Sequence, residues 1–287
     1  MTDQPDIRAA MISALAWQVE LGADEAIAEE PQDRFEESKP KAAPAQPTVD
    51  PAPERPVPAP ATSAPSPFRG EGRGGGEQAS APGGDTASLA RSANTLEELA
   101  EAMRSWDGSP LKAGARNFVF SDGLAGARVM VVGEAPGADE DRVGKPFVGR
   151  AGQLLDRMLA AIGLSRTDPA PETAAYIANI LPWRPPGNRT PSEQEAAQFL
   201  PFMVRHIQLA KPDVILSMGN TPTKALLATG TGIKRMRGTW QRHEATGLPL
   251  MPSFHPAYLL RQPADKRLAW RDLLAIRKVL DGEAPPL

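Results

Sequence analysis

Short apolar runs alternate with amphipathic segments between residues 95 and 280, and this alternation is the strongest constraint on how the chain folds. Four runs of five to seven residues are rich in Val, Ile, Leu and Met, which is typical of buried strands. Strands that alternate with helices form a parallel sheet with helices on both faces. We therefore predict an α/β domain of three layers (αβα) around a central, mainly parallel four-stranded sheet. The predicted strands are residues 127–132, 176–181, 214–218 and 248–254, and the predicted helices between and after them are 151–162, 192–210, 222–228 and 266–280.

The N-terminal third has a different composition. Apolar residues recur at helical spacing between residues 6 and 27, which predicts a short N-terminal helix within residues 1–29. Residues 30–88 are rich in Pro, Ala, Gly and Glu and predict a disordered linker, because such a segment buries too little apolar surface to offset its chain entropy. The folded domain is predicted to span residues 89–287. Its first helix is expected to begin at Thr95, where Thr95 and Glu98 form a capping-box pattern.

Composition excludes several kinds of site. The chain contains no cysteine, which excludes disulfides, thiolate metal sites and cysteine-ligated iron–sulfur clusters. It has no apolar stretch of about 18 residues and no signal-peptide pattern, so we expect a cytoplasmic bacterial protein that does not bind membranes. Residues 1–95 contain 8 Lys and Arg against 15 Asp and Glu, whereas residues 96–287 contain 24 against 20. An acidic arm on a mildly basic domain is compatible with nucleic-acid binding, and also with ordinary solubility.

Unusual residues follow each predicted strand. Ligands of open α/β sheets bind at the carboxyl ends of the strands, which directs attention to these positions. They are the glycine-rich segment 133–137, Asn179 with the segment 182–189, Gly219 with Asn220, and the segment 253–256 that contains His255.

Each of these features has a structural alternative. The glycines are neither a GxGxxG fingerprint nor a P-loop, so they indicate either a close approach of backbone to a ligand or a tight turn. Asn179 has the donors and the acceptor to bind the edge of a base, but an Asn in this place also caps turns. Lys234, Arg235 and Arg237 suit phosphates or a solvated loop. His255 is either a catalytic or a structural histidine.

Five blocks together resemble the uracil-DNA glycosylase superfamily, and most of all its family 4, the thermostable bacterial and archaeal type. The blocks are GEAPGADEDRVGKPFVGRAG (133–152), NILPWRPPGNRTPSEQE (179–195), KPDVILSMGN (211–220), KRMRGTW (234–240) and HPAYLLR (255–261). The whole match spans about residues 109–279, and the blocks occur in the order and spacing of the family.

The resemblance implies an enzyme that flips uracil out of DNA and hydrolyses its N-glycosidic bond. In that picture Glu134 positions the attacking water and His255 faces the charge that develops on uracil O2. The uracil-binding residues would be Gly133, Ala135, Phe147 as the stacking aromatic and Asn179 as the reader of the uracil edge. The DNA-binding residues would be Arg150, Arg189, Lys234, Arg235, Arg237 and Arg261, with Leu259 and Leu260 as wedges in the gap left by the flipped nucleotide.

Three other functions remain open at this point. The chain is alternatively a glycosylase for another deaminated base, hypoxanthine or xanthine, because Asn179 does not exclude purines. It is alternatively a non-catalytic module that binds uracil or abasic sites in DNA. A nucleotide-binding or methyl-transfer enzyme of doubly wound type is disfavoured by the missing glycine fingerprint.

The sequence departs from family 4 at the positions that align with its four cluster-binding cysteines. These positions hold Trp106, Ser109, Trp183 and Phe199, and the last two keep the family's separation of sixteen residues. We therefore predict no iron–sulfur cluster, no other metal and no cofactor, with aromatic packing in the place of the cluster. The expected partners are uracil-containing DNA and a protein that docks on the N-terminal helix, and we expect a monomer.

Overall fold

The structure, a computed structural model, describes residues 85–287. The predicted N-terminal helix and residues 30–84 of the predicted linker lie outside this range. The described chain begins at Asp85, whose carboxylate accepts a hydrogen bond from the Ala87 N–H (3.0 Å) and caps helix α1, Thr86–Ser92. Helical structure therefore begins three residues before the predicted domain boundary at residue 89.

The central sheet has six strands in the order β1-β3-β2-β4-β6-β5. The four inner strands are the four predicted from the apolar runs, and they pair in parallel. β1 and β5 pair antiparallel at the two edges, so the predicted number of four strands was too low. The strands are β1 Ser121–Gly123, β2 Val129–Gly133, β3 Ala175–Asn179, β4 Val214–Met218, β5 Gln241–Arg242 and β6 Pro249–Ser253.

The two edge strands have no apolar pattern because they are three and two residues long and largely polar. Their extended conformation comes from backbone hydrogen bonds to β3 and β6, which are contacts between distant parts of the chain. A period-2 pattern needs at least four residues, so no local signal predicts these strands.

Helices cover both faces of the sheet, as predicted. They are α1, α2 Leu96–Ser105, α3 Leu111–Gly114, α4 Ala138–Val143, α5 Arg150–Ala160, α6 Glu193–Ala210, α7 Asn220–Leu227, α8 Ile233–Met236, α9 Pro256–Arg261 and α10 Lys266–Leu280, with short 3-10 turns at Pro186–Asn188 and Pro263–Asp265. Within residues 85–287 no helix combines the length and the apolar character needed to cross a membrane.

Each inner strand contributes to two cores because successive side chains point to opposite faces of a sheet. Met130 and Val132 of β2 join the core under α2 and α6. Val129 and Val131 of the same strand join the core under α5 and α10. Burial on both faces explains why the inner strands are continuous apolar runs without alternating polar residues.

Aromatic side chains fill the core around the predicted cluster positions. Trp106 packs edge-on against Phe199, with ring centroids 5.3 Å apart, and it also contacts Phe202. Trp183 packs against Phe118 at 5.0 Å. Trp106, Trp183 and Phe199 are each at most 7% exposed and belong to one apolar cluster. This packing agrees with the prediction that aromatic side chains take the place of cluster ligands.

The aromatic packing leaves two polar groups without hydrogen-bond partners within residues 85–287 and restricts the residue at position 108. The indole N–H groups of Trp106 and Trp183 are buried and find no hydrogen-bond partner within residues 85–287. A buried donor without a partner costs about 1–3 kcal/mol. Gly108 lies against the Trp106 ring so closely that a Cβ there would be 2.3 Å from the indole.

If this aromatic cluster stabilises the domain by burial, Phe199→Ala should lower the free energy of unfolding by about 3–5 kcal/mol. Phe199 is fully buried, so its loss leaves a cavity. The measurement is urea-induced unfolding followed by circular dichroism. Gln194→Ala, an exposed change on the same helix, is the control and should stay within about 0.5 kcal/mol of the wild type. A loss below about 1 kcal/mol for Phe199→Ala would contradict this role.

Candidate active site

A pocket of about 400 Å³ lies at the carboxyl ends of the parallel strands. The loops after β2, β3 and β6 form its wall, which is where an open α/β sheet binds ligands. Seven of the residues singled out in the sequence line it: Glu134, Ala135, Phe147, Asn179, Arg189, His255 and Arg261.

Gly133 and Asn179 are paired across β2 and β3 at the floor of the pocket. A Cβ on Gly133 would lie 2.3 Å from Asn179 Oδ1 and 2.5 Å from the Phe147 ring, so this position has no room for a side chain. Asn179 is only 5% exposed, yet its side-chain amide hydrogen-bonds to no residue in the range 85–287. Because Asn179 lines the pocket and no protein group within that range engages its amide, both the donor and the acceptor of this amide are available to a ligand.

Phe147 has a strained backbone beside this amide. Its φ angle is +53°, a left-handed conformation that non-glycine residues rarely adopt. Arg166 stabilises the loop by donating hydrogen bonds to the carbonyls of Pro146 (2.9 Å) and Phe147 (3.0 Å). Gly152 packs against the Phe147 carbonyl, where a Cβ would collide with the oxygen. These contacts place the Phe147 ring against the pocket with its centroid 5.4 Å from that of His255.

Glu140 joins the two loops that form one side of the pocket. Its Oε2 accepts a hydrogen bond from the Gly137 N–H (3.1 Å) at the start of α4. Its Oε1 accepts from the N–H groups of Val148 (2.9 Å) and Gly149 (3.0 Å), just after Phe147. One carboxylate thus fixes the glycine-rich loop relative to the Phe147 loop.

Glu134 is the carboxylate that follows β2 and lines the pocket. The Thr221 hydroxyl donates a hydrogen bond to its Oε2 (2.7 Å). Burial raises the pKa of Glu134, and the hydrogen bond from Thr221 partly opposes this rise. A partly desolvated carboxylate suits proton transfer or the orientation of a water molecule.

His255 caps α9 and presents one ring nitrogen to the pocket. Its Nδ1 accepts a hydrogen bond from the Ala257 N–H (3.1 Å). Burial, followed by the positive charge of Arg261, lowers the pKa of His255 to about 4. The imidazole is therefore neutral at pH 7, and its single N–H is on Nε2 because Nδ1 is an acceptor. His255 can donate a hydrogen bond from Nε2 to a ligand.

The predicted DNA-binding residues separate into exposed and interior groups. Arg150, Lys234, Arg235 and Arg261 are exposed, Leu260 is partly buried, and Arg189 is half exposed while it pairs with Glu195.

Arg237 and Leu259 are turned into the protein, which corrects the sequence-based prediction for both. Arg237 forms an ion pair with the buried carboxylate of Asp272 and donates to the Leu268 carbonyl (2.9 Å). Leu259 is 1% exposed and packs with Phe254, so it is not presented as a wedge. Arg237 is turned inward because the buried carboxylate of Asp272 needs a charged partner. Leu259 is turned inward because it lies on the face of helix α9 that packs against the protein.

Three residues of the site had no role in the sequence analysis: Glu140, Arg166 and Thr221. Glu140 had a local signal, because it is the third residue of α4 and its carboxylate bonds back to the N-cap backbone. Arg166 and Thr221 had no such local signal, because their partners are distant in the sequence. Arg166 contacts Phe147, 19 positions away, and Thr221 contacts Glu134, 87 positions away.

Comparison with known proteins identifies the family. The profile of the Uracil DNA glycosylase superfamily matches residues 120–274, which include every residue of the pocket named above. The chain belongs to this superfamily. It is 35% identical over 194 residues to a type-4 uracil-DNA glycosylase of Thermotoga maritima, an alignment that covers 66% of this chain and 96% of the relative. It is 36% identical to the type-4 enzyme of Pyrobaculum aerophilum (62% and 91% covered) and 33% identical to that of Archaeoglobus fulgidus (67% and 97%).

This member of the superfamily lacks the residues for the [4Fe–4S] cluster that the type-4 resemblance implies. The four aligned positions hold Trp106, Ser109, Trp183 and Phe199, whose side chains include no thiolate. Ser109 is buried, and its hydroxyl accepts a weak hydrogen bond from the Leu111 N–H (3.4 Å). These residues do not fit the cluster. Within residues 85–287 no group of three or more His, Asp or Glu is arranged to hold a metal ion.

Purified protein should therefore contain far less than one iron and one acid-labile sulfide per chain while it remains folded. The measurement is elemental analysis together with the visible absorption spectrum and a cooperative unfolding transition. Stoichiometric iron in the folded protein would contradict this assignment.

Proposed function

We propose that this chain is a DNA repair glycosylase that flips uracil out of DNA and hydrolyses its N-glycosidic bond, leaving an abasic site. The observation that carries the proposal is the unpartnered amide of Asn179, which is buried at the pocket floor beside Phe147. An amide presents a donor and an acceptor together, as the uracil edge does with N3–H and O4.

Phe147 and Gly133 adapt the pocket to a flat pyrimidine. A flipped base loses its stacking in the duplex, and stacking on an aromatic side chain returns about 1–3 kcal/mol per base. We assign this role to Phe147, with Ala135 as a small neighbour in the pocket wall. Gly133 allows Asn179 and the Phe147 ring to pack closely together, because a Cβ there would collide with both.

His255 stabilises the leaving group in this mechanism. When the C1′–N1 bond breaks, uracil leaves with the electron pair and its charge is shared with O2. A neutral imidazole that donates from Nε2 to this oxygen acts like an oxyanion-hole donor, an interaction worth roughly 2.7–4 kcal/mol. Its lowered pKa keeps His255 in this neutral form at physiological pH.

Glu134 directs the attacking water. The sugar develops oxocarbenium character, so an adjacent carboxylate stabilises its positive charge. Water adds to C1′ as hydroxide and its proton passes to the Glu134 carboxylate. The uracil anion takes up a proton from solvent, and Glu134 returns its proton to solvent, which restores the enzyme. Glu134 stabilises the positive charge on the sugar and His255 stabilises the negative charge on uracil, so the proposed mechanism uses no cofactor.

The superfamily acts on DNA, and Arg261, which lines the pocket, is one of several exposed cations of the kind that bind phosphates. We assign phosphate contacts to Arg150, Lys234, Arg235 and Arg261, and a contact in the strand gap to Leu260. Arg189 joins them if DNA competes with Glu195 for its guanidinium.

The remaining parts of the proposal rest on the sequence. We infer that the enzyme acts as a monomer in the bacterial cytoplasm, at the nucleoid through its DNA substrate. We also infer that the predicted helix in residues 1–29 docks a protein partner. The acidic composition of residues 1–95 supports a role in protein interaction rather than in DNA binding.

Excision of defined bases tests the function directly. The full-length protein is incubated with single- and double-stranded oligonucleotides that contain uracil, hypoxanthine or xanthine, and abasic sites are then cleaved with alkali. We expect cleavage at uracil. Cleavage only at a purine would favour a glycosylase for another deaminated base, and binding without cleavage would favour a non-catalytic module.

Asn179→Ala should lower the single-turnover rate of uracil excision by on the order of a hundredfold, because the uracil edge loses its partner and O4 loses a donor. Binding to the same DNA should change little, since phosphate contacts dominate affinity. Rates come from rapid-quench assays and affinity from fluorescence anisotropy. Asn94→Ala, which removes an exposed asparagine outside the pocket, is the control. Excision at the wild-type rate by Asn179→Ala would refute this role.

A further inference from the structure

We propose that Thr221 is a positioning residue, whose hydroxyl holds one oxygen of the Glu134 carboxylate so that the other oxygen is presented, ionised, to the attacking water. The inference rests on the proposed function, in which Glu134 directs that water.

The geometry gives the two carboxylate oxygens different environments. Oε2 accepts the hydrogen bond from Thr221 Oγ1 at 2.7 Å, the usual distance for an O–H···O hydrogen bond. Oε1 accepts no hydrogen bond from any residue in the range 85–287. One oxygen is therefore anchored, and the other is available to a molecule in the pocket.

Thr221 belongs to the turn that joins β4 to α7. Thr221 lies in the first turn of α7, which follows β4 directly after Gly219. Gly219 has a φ angle of +100°, and a Cβ there would lie 3.2 Å from His255 Cβ. The turn between β4 and α7 therefore touches both catalytic side chains, Glu134 through Thr221 and His255 through Gly219.

Thr221 also affects the charge of Glu134. Burial raises the pKa of this carboxylate, and the Thr221 hydroxyl is the group that lowers it again. Five other titratable side chains line the pocket: Glu140, Arg189, His255, Tyr258 and Arg261. Glu140 is engaged with backbone N–H groups, Arg189 with Glu195 and Tyr258 with Asp265. Burial, followed by the positive charge of Arg261, lowers the pKa of His255 to about 4, so this imidazole also changes its charge on the acidic side of neutrality.

Three variants of the full-length protein separate this role from a merely structural one. Thr221→Val replaces the hydroxyl with a methyl group and keeps the β-branched shape, whereas Thr221→Ser keeps the hydroxyl. Thr173→Val makes the same change on an exposed threonine just before β3, at the amino end of the strand whose carboxyl end reaches the pocket. Single-turnover uracil excision is measured from pH 4.5 to pH 9.

Thr221→Val should lose about tenfold to a hundredfold in rate at pH 7, since a hydrogen bond to a charged group is removed. The loss should be larger at acidic pH, because the acidic limb of the rate profile moves to higher pH when Glu134 ionises less readily. Thr221→Ser should restore most of the rate and the position of the limb. Thr173→Val should match the wild type.

Titration of the Glu134 carboxyl carbon by NMR, assigned by comparison with Glu134→Gln, separates its ionisation from that of His255. The pKa of Glu134 should be higher in Thr221→Val than in the wild type, and in Thr221→Ser it should be close to the wild-type value. The proposal would be overturned if Thr221→Val changed neither the acidic limb of the pH–rate profile nor the pKa of Glu134. It would also be overturned if Thr221→Ser excised uracil as slowly as Thr221→Val. If the wild-type protein excises no base, the proposed function fails, and the titration still decides whether Thr221 controls the Glu134 carboxylate.

Discussion

Parallel pairing of β2 with β3 and β4 is the constraint on which the rest of the domain depends. The register that aligns Val129 with Ala175 also aligns Gly133 with Asn179 at the carboxyl ends of the two strands. Because the side-chain period of a strand is two, a slip of one residue would move Asn179 to the other face and exchange the two rows of apolar side chains between the two cores. The packing of the sheet and the floor of the pocket are therefore set by the same backbone hydrogen bonds.

The pocket is strained, and the surrounding residues compensate for the strain. Phe147 has a left-handed backbone conformation that costs of order 1–3 kcal/mol. It persists because Arg166 binds the carbonyls of its loop, Glu140 binds the N–H groups that follow it, and Gly152 leaves room for its backbone. Such supports belong to preorganised sites, in which the geometry needed by the ligand exists before the ligand binds.

The scaffold beneath the pocket is held together by apolar packing where the type-4 resemblance implies a metal cluster. A cluster links its ligands through four directed bonds, whereas Trp106, Trp183 and Phe199 stabilise the same part of the fold through buried area. Aromatic residues at these positions leave the indole N–H groups of Trp106 and Trp183 without hydrogen-bond partners within residues 85–287. They also require glycine at position 108, because a side chain there would collide with the Trp106 ring. The pocket residues Glu134, Phe147, Asn179 and His255 line one pocket although the cluster cysteines are absent, so the assembled pocket does not depend on those cysteines.

The sequence by itself determined the layered α/β fold, the four inner strands and most of the pocket. Those features have local signals: apolar runs of strand length, helical periodicity, and Gly133, Asn179 and His255 placed just where strands end. Only the tertiary structure decided the two edge strands, the inward orientation of Arg237 and Leu259, and the contacts of Arg166 with the Phe147 loop and of Thr221 with Glu134. An arginine next to a predicted DNA loop has the same local pattern whether it faces phosphate or a buried carboxylate 35 residues away. The folded chain decides between them because it brings Asp272 beneath Arg237, and a buried charge is stable only beside its partner.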